Sequence, residues 1–216
     1  MSSSPSVSAA FLKDGLHAVA IDDDVALLDV AGDAYFCLPD AAMDLRAEAG
    51  GVRVVGGLAE TLEVQGWLCG EPARQVSLLP IPPVRSAFHD PSVALTFADW
   101  RALAGAVRDV RRAERGGDLV SMLAVAGTGN KVGEERAVLR AAATLRRIQP
   151  WLPFDGECLQ RSALLVAYLR RLGLRADWVF AVRLWPFNAH CWVQLGDICL
   201  NDDQERLQAY TPIYLR

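Results

Sequence analysis

The chain has 216 residues, of which 52% are hydrophobic and 22% are charged, a composition typical of a globular protein rather than a disordered one. Its apolar runs are too short to span a bilayer. Residues 1–11 are polar and lack the basic start and apolar stretch of a signal peptide. We therefore expect a cytoplasmic protein that does not engage a membrane.

The charge is unevenly distributed along the chain. Residues 1–90 carry five Lys or Arg against thirteen Asp or Glu, a net charge of −8, whereas residues 91–216 carry seventeen against thirteen, a net charge of +4. Such a break predicts two domains of different character. The acidic half also speaks against nucleic acid as a ligand.

Three short apolar segments near the N-terminus predict a β-meander. They are Leu16–Ile21, Val25–Val30 and Ala34–Cys37, and turns rich in Asp and Gly separate them.

Two helices are predicted to follow this meander. Asp40 can cap a helix from Ala41 to about Ala49, and a second helix runs from about Leu58 to Trp67 with Leu58 and Leu62 on one face. Strands and helices together predict a winged-helix-like domain over residues 14–80.

A proline-rich segment follows. Pro80, Pro82, Pro83 and Pro91 are incompatible with a helix interior, so we expect a linker at residues 81–94.

The remaining residues, 95–216, predict helices followed by strands, and hence an α+β domain. Apolar periodicity favours helices at about 97–115, 119–126 and 134–148, a helix from Cys158 to about Arg171, and strands at 176–184, 189–195 and 198–201.

Cys158 is the first candidate for chemistry. It stands at the predicted start of its helix, where free backbone N–H groups and the positive end of the helix dipole favour a thiolate. A thiolate is the nucleophile of a cysteine peptidase. A buried structural cysteine is the alternative.

His190 is one of only three histidines and lies on a strand that follows the Cys158 helix. Papain-like folds use this order of nucleophile and base. The imidazole can then take the thiol proton and later protonate the leaving amine.

An aspartate is needed to orient the imidazole. A two-residue turn at Gly196-Asp197 places Asp203 opposite His190, whereas a longer loop or a bulge places Asp202 there. Spacing alone does not choose between them.

The segment from Cys158 onward resembles the transglutaminase-like cysteine peptidase of lasso peptide biosynthesis, often called the B protein. The similar motifs are Cys-Leu-Gln-Arg-Ser at 158–162, Pro-Phe-Asn-Ala-His-Cys-Trp-Val at 186–193, and Asn201-Asp202. The resemblance covers about residues 95–216 and implies a papain/transglutaminase-like fold. It places the catalytic aspartate at Asp202, with Asp203 as the fallback.

Residues 14–80 show a weaker similarity to small PqqD-like recognition domains, which bind the leader of a ribosomally made precursor peptide. The resemblance implies that the leader adds as a strand beside Ala34, Tyr35, Phe36 and Cys37, with its side chains toward Leu58 and Leu62. The resemblance to the lasso peptide B protein also implies an ATP-dependent macrolactam synthetase as a downstream partner.

The remaining chemistry is less specific. The backbone N–H of Cys158 is one expected oxyanion donor, and Gln149 and Trp151 are candidates for a second. Arg161 and Arg183 serve either the fold or a substrate carboxylate.

No cofactor or metal is expected. The chain has no Gly-rich phosphate motif. Its five cysteines form no CxxC, so free thiols are expected, and a zinc site at Cys191 and Cys199 matches no common ligand spacing.

The residues therefore predict a cysteine peptidase, and the resemblance implies that it removes a leader during lasso peptide maturation. Two alternatives remain: acyl transfer to an amine on the same three residues, and a non-catalytic module that delivers a peptide.

Overall fold

The computed structural model describes residues 10–48, 51–71, 79–87, 94–127, 134–152 and 157–216. The chain divides into two compact units, Met1–Leu78 and Leu79–Arg216. No helix among these described residues is long and apolar enough to cross a membrane.

The N-terminal unit is mainly β-structure. Its described residues form the strands β1 (Ala10–Leu12), β2 (Leu16–Ile21), β3 (Asp24–Asp29), β4 (Ala34–Leu38), β5 (Leu45–Glu48), β6 (Gly51–Val54) and β7 (Leu68–Cys69), and the helix α1 (Gly56–Val64).

These strands form two sheets around one core. One sheet has the order β2-β3-β4 and the other has the order β5-β6-β1-β7. Leu27 of β3, Val54 of β6, and Leu58 and Leu62 of α1 are buried together. Burial of these side chains stabilises the unit, and the predicted three-strand meander is confirmed.

The helix predicted from Ala41 to Ala49 is wrong. Residues Ala42–Asp44 form a 3₁₀ turn, and Leu45–Glu48 pairs as a strand with Gly51–Val54. Asp44 instead caps α1, because its carboxylate accepts the Leu58 N–H at 3.1 Å. The unit is therefore richer in β-structure than the winged-helix-like domain that we predicted.

The C-terminal unit combines helices with one five-stranded sheet. Its elements are β8 (Arg85–Ser86), α2 (Phe97–Glu114), α3 (Leu119–Leu123), α4 (Glu135–Ile148), α5 (Cys158–Arg171), β9 (Asp177–Arg183), β10 (Asn188–Leu195), β11 (Ile198–Cys199), α6 (Gln204–Leu207) and β12 (Thr211–Leu215).

The sheet order is β12-β9-β10-β11-β8, antiparallel except for the β11–β8 pair. The predictions of α2, α4, α5, β9 and β10 are confirmed to within one or two residues. β8, α6 and β12 were not predicted.

Helix α5 runs through the middle of this unit. Eight consecutive residues, Ser162–Leu169, are buried, and the helix packs against α2, α4 and β10. Because α5 is buried on all sides over this stretch and packed by its neighbours, the position of its first residue, Cys158, is fixed.

A buried carboxylate joins three of the helices. Asp99 of α2 accepts hydrogen bonds from Thr96, from Arg140 of α4 at 2.7 Å and from the Tyr168 hydroxyl of α5 at 2.9 Å. These donors hold the pKa of Asp99 well below its usual range, the Arg140 bond most strongly.

The segment that we predicted as a linker contributes the edge strand β8. Arg85 pairs with Asp197 through its guanidinium and its backbone N–H. Gln194 donates to the Ile81 carbonyl at 3.3 Å, and Gln208 donates to the Pro83 carbonyl at 2.9 Å. Residues 81–87 thus belong to the C-terminal unit.

Candidate active site

Cys158 is the first residue of α5. Glu157 precedes it in extended conformation, and its side chain makes no capping hydrogen bond. The N–H groups of the first turn of α5 point toward its N-terminal end, where the positive end of the helix dipole favours negative charge on Cys158.

The Cys158 thiol is half-buried and acidic. Hydrogen bonds from the Cys191 thiol and from the His190 side chain lower its pKa to about 4, against the opposing effect of burial. At neutral pH this sulfur is a thiolate, the form that attacks a carbonyl carbon.

His190 lies between Cys158 and a carboxylate. Its Nε2 is 2.7 Å from Oδ2 of Asp202, which leaves Nδ1 to face the thiol. Burial alone would lower the histidine pKa, but the hydrogen bonds to Asp202 and Cys158 outweigh it and raise the pKa to about 9.

Aromatic rings enclose the imidazole. The Tyr210 ring lies 5.2 Å from it and the Trp192 ring lies 6.3 Å from it, centroid to centroid. The Tyr210 hydroxyl donates to Asn188 at 2.9 Å, and Arg183 lies over the same ring. These contacts restrict the rotation of the imidazole and limit its access to water.

Asp202 is buried and ionised. Burial opposes its charge, but the hydrogen bond from His190, the Asp203 N–H at 2.8 Å and the Arg206 guanidinium at 3.6 Å hold the pKa of Asp202 below its ordinary value. Asp203 instead caps α6, because its carboxylate accepts the Glu205 N–H at 3.1 Å.

The hairpin before these aspartates has the two-residue turn that we considered. Leu195 pairs with Ile198 and Gln194 pairs with Cys199. Extending that register would bring Asp203 opposite His190, but β11 ends at Cys199. Because the chain leaves the ladder there, Asp202 reaches the imidazole.

Three other cysteines differ from Cys158 in acidity. Burial raises the pKa of Cys191 far above its usual range and that of Cys199 to about 11. Burial also raises the pKa of Cys37. No cluster of three or more metal-ligating side chains occurs in the described part of the chain.

Cys191 is a neighbour of Cys158 that sequence reasoning assigned no part in the site. It follows His190 in β10, and its Sγ lies 3.8 Å from the hydroxyl of Ser162, one helical turn after Cys158. The sequence does hold a signal for this proximity: Cys191 directly follows the candidate base, on a strand that is expected to pack against the Cys158 helix.

The residues predicted to bind a peptide divide into two groups. Ala34, Tyr35, Phe36 and Cys37 lie on β4, an edge of its sheet. Phe36 is 39% exposed, and its ring lies 5.0 Å from that of Trp67, which sequence reasoning missed.

The second group, Leu58 and Leu62, does not face a surface. These side chains are 4% and 1% exposed and belong to the core of the N-terminal unit. In this structure they pack within the core rather than at its surface, and their contact with a leader peptide stays a prediction.

The candidates for a second oxyanion donor lie in the 3₁₀ turn Gln149–Trp151 after α4. The Trp151 side chain is 77% exposed. The role of both residues stays a prediction.

The sequence profile of the transglutaminase-like superfamily matches residues 101–215, just over half of the chain. The chain belongs to this superfamily. Its domains are typically cysteine hydrolases or transferases. No curated protein and no solved structure matches the chain.

The transglutaminase-like region begins within α2 and ends in β12. It contains Cys158, His190 and Asp202, whereas the N-terminal unit lies outside it. The three residues that meet in the candidate active site thus all belong to the part of the chain that matches the superfamily.

Proposed function

We propose that this protein is a cysteine peptidase that removes the leader from a ribosomally made precursor peptide during lasso peptide maturation. The observation that carries the peptidase assignment is the hydrogen-bonded series Cys158–His190–Asp202 at the start of a buried helix. A half-buried thiolate paired with an imidazolium is suited to acyl transfer from an amide.

In the first step, the Cys158 thiolate attacks the carbonyl carbon of the scissile peptide bond. The oxyanion that forms accepts the backbone N–H of Cys158. His190 then donates its Nδ1 proton to the leaving nitrogen. The C–N bond breaks, the C-terminal core peptide departs as a free amine, and the leader remains as a thioester on Cys158.

In the second step, neutral His190 takes a proton from water. The resulting hydroxide attacks the thioester carbonyl, the C–S bond breaks and the leader leaves as a carboxylic acid. Cys158 and His190 return to the thiolate–imidazolium pair. Asp202 keeps the imidazole oriented and stabilises its charge through both steps.

The N-terminal unit is proposed to bind the leader. β4 pairs only with β3 among the described strands, so its outer edge is open to a peptide strand. The acidic charge of this half favours a leader with basic residues. The freed amine is the nucleophile that an ATP-dependent macrolactam synthetase, the proposed partner, would join to a side-chain carboxylate.

Mass spectrometry tests this proposal. The purified protein is incubated with a candidate precursor, a short peptide chosen from the reading frames next to its own gene, and we expect two products whose masses sum to the precursor plus water. Cys158→Ala should yield neither product, whereas Cys69→Ser, a change at a cysteine of the N-terminal unit, should cleave normally. An uncut precursor with wild-type protein would contradict the proposal.

Acyl transfer to an amine is the second candidate, because the superfamily includes transferases. The same assay with an excess of a small primary amine distinguishes the two reactions. Hydrolysis gives a leader ending in a carboxylic acid, whereas transfer gives a leader carrying the amine.

A further inference from the structure

The backbone leaves the β10–β11 ladder between Cys199 and Asp202, and side-chain hydrogen bonds replace the missing strand contacts. The Leu200 N–H still bonds to the Val193 carbonyl at 2.8 Å. In a continuing antiparallel pair the Val193 N–H would return to the Leu200 carbonyl. Instead, it donates to Oδ1 of Asn201 at 2.8 Å.

The amide nitrogen of Asn201 carries this connection to the nucleophile's helix. Its Nδ2 donates to the Ser162 hydroxyl at 2.9 Å, and that hydroxyl donates to the Cys191 carbonyl at 3.3 Å. Ser162 is fully buried and lies four residues after Cys158 on the same face of α5.

Arg161 fixes the backbone at the same point. Its guanidinium donates to the Asn201 carbonyl at 3.1 Å. The amide and the carbonyl of Asn201 are therefore both tied to α5, directly before the carboxylate that contacts His190.

We propose that Asn201 and Ser162 are positioning residues that set the Cys158–His190–Asp202 geometry. The Asn201 side chain takes the place of a strand residue, so the backbone can bend and deliver Asp202 rather than Asp203 to the imidazole. Ser162 connects the bent segment to α5 and, through the Cys191 carbonyl, to the strand residue next to His190. Their catalytic consequence rests on the proposed function, but their effect on the thiolate–imidazolium pair does not.

The direction of the effect follows from the hydrogen bonds. Asp202 raises the pKa of His190, and the His190 charge lowers that of Cys158. A misaligned Asp202 must therefore lower the histidine pKa and raise the thiol pKa together. The pH range over which the ion pair exists narrows from both sides.

Two titrations that need no peptide substrate test this in the full chain. The His190 midpoint is read by NMR of the imidazole, and the Cys158 midpoint from the pH dependence of iodoacetamide alkylation. In both Asn201→Ala and Ser162→Ala we expect the His190 midpoint to fall and the Cys158 midpoint to rise, each by about one pH unit or more.

Thr144→Val is the matched control. Thr144 is also fully buried, and its hydroxyl donates to the Arg140 carbonyl at 2.9 Å within α4. Its removal should lower stability without moving either midpoint. If Asn201→Ala does not fold, Ser162→Ala alone still tests the inference.

The double variant separates a connected network from two independent contacts. If Asn201 and Ser162 act as one unit, the double variant shifts the midpoints no further than the larger single change. Midpoints that stay at wild-type values in folded variants would overturn the proposal. That outcome is distinct from an uncut precursor, which concerns the proposed function alone.

Discussion

At the residue scale, two adjacent aspartates have different surroundings. Asp202 contacts the imidazole at 2.7 Å, whereas Asp203 caps a short helix. Loss of an orienting carboxylate removes charge stabilisation in the transition state, whereas loss of a cap weakens one helix end.

We therefore expect Asp202→Ala to lower kcat on the order of 10⁴-fold. Asp203→Ala should retain most of its activity and lose about 1 kcal/mol of unfolding free energy. Steady-state cleavage assays and thermal melts of both variants check this. A more severe loss of activity in Asp203→Ala than in Asp202→Ala would show that Asp203, and not Asp202, orients the imidazole.

The acidity of Cys158 makes it selectively reactive below neutral pH. With a pKa of about 4 it is a thiolate at pH 6, whereas the pKa values of Cys37, Cys191 and Cys199 are raised. Iodoacetamide at pH 6 should label Cys158 much faster than these three, as measured on tryptic peptides by mass spectrometry.

His190→Asn is the informative comparison for that labelling. It removes the cation that helps to hold the thiol pKa down, so Cys158 labelling at pH 6 should slow. A labelling rate at Cys158 no higher than at the buried cysteines would favour the non-catalytic alternative.

The pH profile of cleavage follows from the same pair of groups. Below about pH 4 the thiolate gains a proton, and above about pH 9 the imidazolium loses the proton that the leaving amine needs. We expect a bell-shaped kcat/KM between these limits. A profile that kept rising past pH 10 would contradict a role for protonated His190.

At the element scale, the open edge of β4 is the feature with a testable consequence. The half-exposed Phe36 ring and its neighbour Trp67 offer an apolar platform beside that edge. Phe36→Ala should weaken leader binding about tenfold, typical of a partly buried aromatic contact, without changing kcat at saturating substrate.

Calorimetry of the full protein with a synthetic leader measures this change. Val64→Ala is the matched control, because Val64 is an exposed apolar residue on α1. Equal affinity in wild type and Phe36→Ala would place the leader elsewhere.

The elements differ in how far sequence could predict them. Helix α5 and strands β9 and β10 could be predicted from local apolar periodicity, because each is long enough for its apolar residues to recur with the period of a helix or a strand. The segment 41–49 has helix-forming alanines and a possible cap at Asp40, but pairing with β6 overrides that propensity.

The non-local contacts could not be read from the sequence. β8 has two residues and pairs with a strand more than a hundred positions away. The choice between Asp202 and Asp203 depends on where β11 ends, and that end coincides with the hydrogen bond from Val193 to the Asn201 side chain. Neither feature leaves a periodic signal.

At the scale of the whole molecule, the boundary between units falls before the predicted linker. Residues 81–87 hydrogen-bond to Gln194, Asp197 and Gln208 of the C-terminal unit. A fragment that starts at residue 79 keeps these contacts, whereas one that starts at residue 88 loses them together with β8.

We expect the fragment 79–216 to be more stable than the fragment 88–216, with a higher Tm by several degrees. Equal Tm values for the two C-terminal fragments would show that β8 contributes nothing to the fold.

The fragment 1–78 should bind a synthetic leader by itself, and 79–216 should cleave the precursor poorly until 1–78 is added.

The burial of α5 also has a consequence for biogenesis. Eight consecutive residues of this helix are buried, so the helix depends on its neighbours to form in water. A chain still emerging from the ribosome carries Cys158 as an ordinary thiol, since β10 and the Asp202 segment are made after it. The low pKa of Cys158 therefore arises only after β10 and the Asp202 segment have been made and packed.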